Sequence, residues 1–347
     1  MKTKQKRKKI LICKHRAIGD SIMGLGAIRF AKELFPDSKV YYGVPHWITP
    51  IYEDVIHDAD QIFPLNFTSF KEAFKTFLKL KEESFDLVFE LHQSGKTKKI
   101  FSLLSFINRN LTYHYHNHHL KEGTLIKDQG VPKELIQRDL DGLASLLGIK
   151  DHWPHYLSYI PRLQSKQKIQ DIKKARIIIG IVATRKTKMW PLEYYSELCK
   201  RLLELSPTLE IGIPLSKSKE DINLKRKLDQ MISSERITYH FESLKQLPKL
   251  FFNSTLYIGN DTGQKHLAVA CGIKTFTFFG PEPPKEWHPY SDEHHPFFYK
   301  DNLECRTRNS HFCGLSECES MICLNEITPD FVFEKIKNLI LETANDR

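Results

Sequence analysis

The segment from 256 to 272 constrains the fold most strongly, because an apolar run breaks at a polar loop that leads directly into a helical pattern. The loop reads Gly-Asn-Asp-Thr-Gly over 259–263. A loop that ends a strand and opens a helix directs unpaired backbone N–H groups and the positive end of the helix dipole at its ligand, and a phosphate suits that field. We therefore predict an α/β domain with an anion site at this loop.

Individual residues of this loop suit a phosphate. Asp261 or Thr262 can cap the helix, and Gly263 lets a ligand approach the backbone. Lys265 and His266 can add positive charge or hydrogen-bond donors. The alternative is a capped helix N-terminus without a ligand, and the spacing alone does not decide between the two.

The composition is typical of two ordinary globular domains. The chain has 347 residues, of which 41% are apolar, and this length can bury two separate cores. The basic run over 2–9 leads into a short apolar stretch, and no run reaches the roughly eighteen apolar residues of a membrane span. We therefore expect a cytoplasmic protein whose seven cysteines are reduced.

The charge balance favours an acidic partner. A net charge of +10, from 52 basic and 42 acidic residues, fits a nucleotide, a nucleic acid or an anionic membrane surface. The sequence shows no helix-turn-helix signature, no zinc-finger spacing and no aromatic RNA-binding motif, so we do not expect nucleic acid. The basic run over 2–9 predicts a solvated tail, with weak attraction to anionic lipid as the alternative.

Apolar strands alternate with helical patterns along most of the chain, which indicates a parallel doubly wound sheet in each half. The predicted strands cover 10–13, 40–44, 86–91, 176–182, 209–213, 255–259 and 275–279. The predicted helices cover 21–34, 96–106, 191–205, 221–232, 244–252 and 328–343, with one more that follows the glycine loop and ends at 271. Residues 157–174 lack a sustained apolar period and predict a linker.

Four loops follow predicted strands, at 14–20, 92–96, 183–190 and 259–266. Ligands of open α/β sheets bind outside the carboxyl ends of the strands. Two doubly wound domains facing each other across a cleft would bring all four loops to that cleft.

Five short motifs occur in one order along the chain. They are Gly19-Asp20, Asp86-Leu87-Val88 followed by Gln93, Thr187-Lys188-Met189-Trp190-Pro191, Asp261-Thr262-Gly263 with His266, Ala268 and Ala270, and Phe279-Gly280-Pro281. Together they resemble the motifs of glycosyltransferase family 9, the heptosyltransferases of lipopolysaccharide core synthesis, over nearly the whole chain.

The resemblance implies a GT-B architecture with two Rossmann-like domains. It implies an acceptor-binding domain over 1–170, a domain over 171–327 that binds the nucleotide-sugar donor, and a C-terminal helical segment over 328–347 that can pack back towards the first domain. The implied reaction is inverting and needs no metal or other cofactor. It moves a sugar, usually heptose from ADP-heptose, to a lipid-linked glycan acceptor at the cytoplasmic face of the inner membrane.

Two residues fit the chemistry of such a transfer. Asp20, at the carboxyl end of the first strand, can accept the proton of the acceptor hydroxyl, although its position also suits a helix cap. Lys188 can stabilise the leaving diphosphate as a metal ion would, Arg185 and Lys186 are nearby alternatives for this cation, and Thr187 lies beside them. The alternative for this second group is an exposed basic loop.

The remaining binding residues are predicted from their places after strands. Glu220 can accept the ribose hydroxyls of a nucleotide, and the alternative is a surface glutamate at a helix start. Four residues of the first half can bind acceptor hydroxyls or phosphates, and these are Arg16, His92, Gln93 and Lys96.

Two clusters invite a metal interpretation that we do not adopt. The histidines at 114, 116, 118 and 119 alternate as in a half-exposed strand or loop. The cysteines at 305, 313, 318 and 323 lack the close pair of a zinc knuckle, so buried thiols or a disulfide are the favoured interpretation.

Two other functions share the predicted architecture. A non-catalytic nucleotide-sugar-binding protein would keep the glycine loop, but it would not need both Asp20 and Lys188. A nucleotide-sugar epimerase would need an acid/base set acting on one bound substrate, and the sequence offers no such set. A Rossmann dehydrogenase is disfavoured because the first loop has no G-x-G-x-x-G motif.

Overall fold

The computed structural model describes residues 8–116, 133–146, 154–167, 176–305 and 317–345. The chain divides into two compact units, residues 1–162 and residues 163–347. The predicted boundary between 170 and 171 lies outside the described residues, so its position stays a prediction. The same holds for His118, His119 and Cys313.

The first unit is built on a five-stranded parallel sheet. Its strands are β1 (Lys9–Cys13), β2 (Lys39–Pro45), β4 (Gln61–Leu65), β5 (Leu87–Glu90) and β6 (Thr112–Tyr115), and a two-residue strand, β3 (Val55–Ile56), lies outside the sheet. The strand order is β4-β2-β1-β5-β6. The central strand β1 is buried along nearly its whole length, as its apolar run predicts.

Within the described residues of the first unit, five α-helices accompany this sheet. They are α1 (Ile18–Met23), α2 (Leu25–Leu34), α3 (Phe70–Glu83), α4 (Gly95–Ile107) and α5 (Leu135–Leu146). The helix predicted over 21–34 is therefore interrupted at Gly24. The Tyr42 hydroxyl donates to the Ser21 carbonyl at 2.7 Å and would lie 2.2 Å from a Cβ at position 24. Only glycine admits that close approach.

A buried carboxyl group organises the corner between β5 and α4. Glu90 is fully buried and accepts hydrogen bonds from the hydroxyls of Tyr113, at 2.8 Å, and Thr97. The backbone N–H of Ser94 also points to it at 3.4 Å, and Ser94 caps α4. Burial raises the pKa of Glu90 to about 7, although these three donors favour the ionised form.

The second unit is built on a six-stranded parallel sheet. Its strands are β8 (Arg176–Gly180), β9 (Glu210–Pro214), β10 (Ile237–His240), β11 (Leu256–Asn260), β12 (Lys274–Phe279) and β13 (Phe297–Tyr299), and the two-residue strand β7 (Gln164–Ser165) lies outside this sheet. The strand order is β10-β9-β8-β11-β12-β13.

Seven α-helices accompany the second sheet in the part of this unit that the structure describes. They are α6 (Leu192–Leu205), α7 (Lys219–Met231), α8 (Leu247–Phe252), α9 (Gly263–Ala270), α10 (Pro284–Trp287), α11 (Ile322–Asn325) and α12 (Pro329–Asn345). The terminal helix α12 contributes Val332, Ile336 and Ile340 to the core of the second unit. Within the described ranges, no helix has the length and apolar character needed to cross a membrane.

Both sheets reverse their strand order at one point. In the first unit the chain moves outward from β1 to β2 and β4, and then returns to the other side of β1 with β5. In the second unit it returns to the other side of β8 with β11. Ligands of doubly wound sheets bind at this reversal, outside the carboxyl ends of the two strands that flank it. The four loops that the sequence predicts as binding loops follow these four strands.

The pKa of Glu90 predicts a pH-dependent stability. Because the pKa is higher in the folded protein than the ordinary 4.5, the folded state binds the proton more tightly, and this stabilisation is lost as the pH rises from 4.5 to about 7. Glu90→Gln removes that loss. Relative to wild type, the free energy of unfolding of Glu90→Gln should increase by up to about 3 kcal/mol between the acidic and neutral ends of this range.

Urea unfolding of both proteins at each end of the range measures this difference, and shifts at other carboxyl groups cancel in it. Glu82→Gln, at an exposed position of α3, is the matched control and should change stability by less than about 0.5 kcal/mol at either pH. If the difference in the free energy of unfolding between Glu90→Gln and wild type does not vary with pH, the raised pKa of Glu90 is contradicted.

Candidate active site

Asp261 is the centre of a buried charge network in the second unit. It follows β11 and is 3% exposed, and its two carboxylate oxygens accept from Lys188 Nζ at 2.7 Å and Lys265 Nζ at 2.6 Å. Burial alone would raise the pKa of Asp261, but the two ammonium groups outweigh it and hold the pKa well below its usual range. Asp261 is therefore ionised at every physiological pH.

The network continues from Lys188 to a second carboxylate. Lys188 Nζ lies 3.8 Å from Glu282 Oε2, and Glu282 also forms an ion pair with Arg185. Burial lowers the pKa of Lys265 to about 8. This value is still above 7, so Lys265 remains largely protonated at neutral pH. Among these five described side chains, three cations face two carboxylates, which leaves one unit of positive charge in excess.

The position of Lys188 is fixed by the end of β11. The fully buried Asn260 side chain accepts from the Trp190 backbone N–H and the Tyr195 hydroxyl, both at 2.9 Å, and donates to the Ile181 carbonyl at 3.0 Å. Trp190 also stacks on Phe278 at 4.2 Å between ring centroids. The loop that carries Lys188 is therefore tied to the sheet on both sides of that residue.

The start of α9 lies beside this network. Thr262 is the residue before the helix, and its side chain makes no capping hydrogen bond. Unpaired N–H groups of a helix start attract anions. Gly263 opens the helix, whereas the N–H of Asp261 itself donates to the Phe278 carbonyl at 3.3 Å. The excess positive charge and the helix start together suit a diphosphate.

The other predicted donor residues have different environments. Thr187 is buried, and its carbonyl would lie 2.8 Å from a Cβ at Gly280, so the turn after β12 packs closely on it. His266 is buried and hydrogen-bonded to the Tyr290 hydroxyl at 2.5 Å, and burial lowers its pKa well below the usual value. Glu220 is exposed in the first turn of α7 and is not part of the Asp261 network.

Asp20 occupies the first turn of α1 in the first unit, beside a second buried ion pair. Lys14 and Asp139 are both fully buried and bonded to each other. Burial raises the pKa of Asp20, and the positive charges of Lys14 and Arg16 oppose that rise. Asp20 is thus a largely desolvated carboxylate, 9% exposed, at the reversal point of its sheet.

The predicted acceptor residues flank this reversal point. Arg16 is exposed in the loop after β1. His92 is buried, Gln93 donates to the Tyr113 hydroxyl at 3.3 Å, and Lys96 is exposed in the first turn of α4. These last three lie on the corner that Glu90 organises.

Three features of these sites were not predicted. Glu282 follows the Gly280-Pro281 turn, and Glu90 is the second acidic residue of the run Asp-Leu-Val-Phe-Glu-Leu. Each of these two lies at the carboxyl end of a predicted strand, which is the signal that could have identified them. The Lys14–Asp139 pair spans 125 residues and left no comparable signal.

The two clusters set aside as metal sites are partly described. Among the described residues, no group of three or more histidine, cysteine, aspartate or glutamate side chains could hold a metal ion. Cys305 is exposed rather than buried, and Cys318 and Cys323 are partly buried. His114 and His116 lie on and directly after the edge strand β6.

Comparison with protein families and related sequences gives one consistent result. A model of glycosyltransferase family 9 (heptosyltransferase) matches residues 73–314. Lipooligosaccharide heptosyltransferase 2 of Campylobacter jejuni is 22% identical over 336 residues, which cover 93% of this chain and 95% of that protein.

Solved structures support the same fold. E. coli ADP-heptose lipopolysaccharide heptosyltransferase II has a TM-score of 0.74 at 18% identity, covering 96% of this chain and 99% of that one. E. coli heptosyltransferase WaaC with ADP has 0.69 at 15%, covering 95% and 99%. The iron-containing dodecameric glycosyltransferase TibC from enterotoxigenic E. coli has 0.55 at 11%, covering 98% and 80%. The predicted GT-B class with two Rossmann-like domains is confirmed.

The family match covers well over half of the chain and includes the Lys188 and Asp261 motifs. The predicted enzyme class is thereby confirmed as well. The chain belongs to glycosyltransferase family 9, the heptosyltransferases, and is a glycosyltransferase.

Proposed function

We propose that the protein transfers heptose from ADP-heptose to a lipopolysaccharide-core or related glycan acceptor, with inversion at the anomeric carbon and without a metal ion. Relatives named as heptosyltransferases of lipooligosaccharide support the substrate class, and the neighbours with ADP and ADP-heptose in their names support the donor. The observation that carries the mechanism is the positive excess around Lys188, because a fixed cation can replace a metal at a leaving diphosphate.

In the proposed reaction the acceptor oxygen attacks the anomeric carbon while the bond from that carbon to the diphosphate breaks. The hydroxyl proton passes to the Asp20 carboxylate, and the bonding electron pair leaves with the diphosphate. Burial makes Asp20 a stronger base than an exposed carboxylate. Lys188, with the 261–263 loop, neutralises the charge that develops on the leaving group.

Several predicted residues take supporting parts in this proposal. Asp261 acts by holding Lys188 and Lys265, since its carboxylate would repel a phosphate. Arg185 and Thr187 lie beside Lys188, and His266 supports the loop through Tyr290. Glu220 is the candidate for the ribose hydroxyls. Arg16, His92, Gln93 and Lys96 are the candidates for the acceptor.

The donor assignment predicts a selective loss of nucleotide binding. Calorimetric titration in EDTA with ADP, UDP, GDP and CMP should show binding of ADP alone. Lys188→Ala should weaken ADP binding at least about tenfold, because a charge-assisted contact to phosphate is lost. Lys186→Ala is the matched control, since Lys186 lies on the same turn but is 81% exposed, and it should bind ADP as wild type does. Binding of another nucleotide would change the donor, and binding of none would refute the donor site.

If Asp20 is the base, its replacement should lower turnover and leave nucleotide binding intact, unlike the replacement of Lys188. Asp20→Asn should lower kcat by about 10²–10⁴-fold while ADP binding stays unchanged, because general-base catalysis has that magnitude. The fall in kcat/KM of wild type at acidic pH should disappear with it, since protonation of Asp20 removes the base. Asp58→Asn is the control, as burial also raises the pKa of that carboxyl group of the first unit. Wild-type turnover in Asp20→Asn would remove the proposed base.

A further inference from the structure

A groove of about 550 Å³ lies between α3 and α4 on the first unit, outside the proposed catalytic residues. Its walls are almost wholly apolar, with Phe70, Phe74 and Phe77 from α3 and Ile100 and Leu103 from α4. Lys96 and Lys99 line one side. The groove is thus an apolar surface with a basic margin.

Apolar side chains of this groove, and Phe106 one helical turn beyond Leu103 on α4, are unusually exposed for their type. Phe70 is 89% exposed and Phe106 is 82% exposed, with Phe74 and Leu103 at about half. Single exposed apolar residues are common, but a contiguous patch on neighbouring helices marks a binding surface. On α4 the spacing of Leu103 and Phe106 keeps both on one face. Removing these apolar side chains from water would be favourable.

The two charged residues that line the groove, Lys96 and Lys99, are both positive. The segment Gly95–Ile107 contains three lysines and no acidic residue. Lys96, Lys98 and Lys99 are exposed, and within the described part of the chain none of them forms an ion pair with a carboxylate. Lys71 is exposed beside Phe70 on α3. A partner that fits this surface is apolar where the phenylalanines enter and anionic around them.

We propose that this α3–α4 surface docks the protein onto an anionic lipid bilayer. Phe70 and Phe106 enter the boundary between headgroups and acyl chains, and the lysines contact lipid phosphates, as in other interfacial helices with aromatic and basic faces. A second copy of the chain fits less well. In a symmetric dimer the same surface meets itself, which would bring two sets of unpaired lysines together.

Docking here has a consequence that rests on the proposed function. The helix α4 begins directly after the loop of His92 and Gln93, which are candidates for the acceptor. A bilayer against α4 therefore holds this loop near the membrane surface, where a lipid-linked acceptor displays its sugars.

Vesicle binding tests the proposal without donor or acceptor. The full chain is sedimented with vesicles of phosphatidylcholine and with vesicles of phosphatidylcholine and phosphatidylglycerol. It should bind the anionic vesicles, less so at high salt, and bind the neutral ones weakly. Phe70→Ser/Phe106→Ser should reduce binding by about tenfold or more, and Lys98→Ser/Lys99→Ser by about fivefold for each lysine lost.

Matched controls lie on α7 of the second unit. Ile222→Ser removes an exposed apolar side chain, and Lys219→Ser/Lys227→Ser removes two exposed lysines, so both should bind as wild type does. Failure of wild type to bind anionic vesicles would overturn the proposal, and so would unchanged binding of Phe70→Ser/Phe106→Ser. Self-association that this variant abolishes, without vesicle binding, would assign the surface to a second copy instead.

An activity assay separates this proposal from the proposed function. Phe70→Ser/Phe106→Ser should retain wild-type turnover of a lipid-free acceptor and lose turnover of the same glycan embedded in vesicles. Inactivity of wild type on every acceptor would contradict the proposed function and leave the vesicle-binding result standing. Equal loss on both acceptors would overturn the docking role.

Discussion

One carboxylate, that of Asp261, holds together the buried charge network of the second unit. Lys265 is fully buried, and an ammonium group in that environment is costly unless an ionised partner lies against it. Asp261 accepts from Lys265 with one carboxylate oxygen and from Lys188 with the other, so two cations share one carboxylate and a net positive charge remains beside Lys188. Because β11 flanks the reversal of strand order, this charge appears where a doubly wound sheet accepts its ligand.

The first unit repeats the principle with different residues. There too, buried ionisable groups lie at the carboxyl ends of the two strands that flank the reversal, with Lys14 and Asp139 near β1 and Glu90 at β5. Electrostatic stabilisation depends on groups that are already oriented before the substrate arrives. Buried and hydrogen-bonded side chains meet that requirement better than exposed ones. The predicted loops therefore lie beside networks of buried ionisable groups, which a sequence pattern hardly reveals.

The sequence predicted the interior of each sheet and missed its borders. All seven predicted strands are interior strands, whose two covered faces produce continuous apolar runs. The four edge strands, β4, β6, β10 and β13, are only partly buried, so their patterns are weak, and β4 even contains Pro64, which edges tolerate. The candidate loops were predictable because they follow interior strands. Their ion pairs were not, because Asp139 and Glu282 are remote in sequence from their partners.

The proposed docking of the α3–α4 surface accounts for part of a positive charge excess that composition alone does not assign to a partner. An excess of ten positive charges over the chain fits several anionic partners equally well. In the proposed function a nucleotide binds to a few fixed cations, and the described side chains of the Asp261 network carry one unit of net positive charge. Binding a nucleotide in this way does not require the exposed phenylalanines of α3 and α4. The proposed bilayer contact uses both Phe70 and Lys99, so in these proposals the buried cations beside Asp261 and the exposed lysines of α4 act on different ligands.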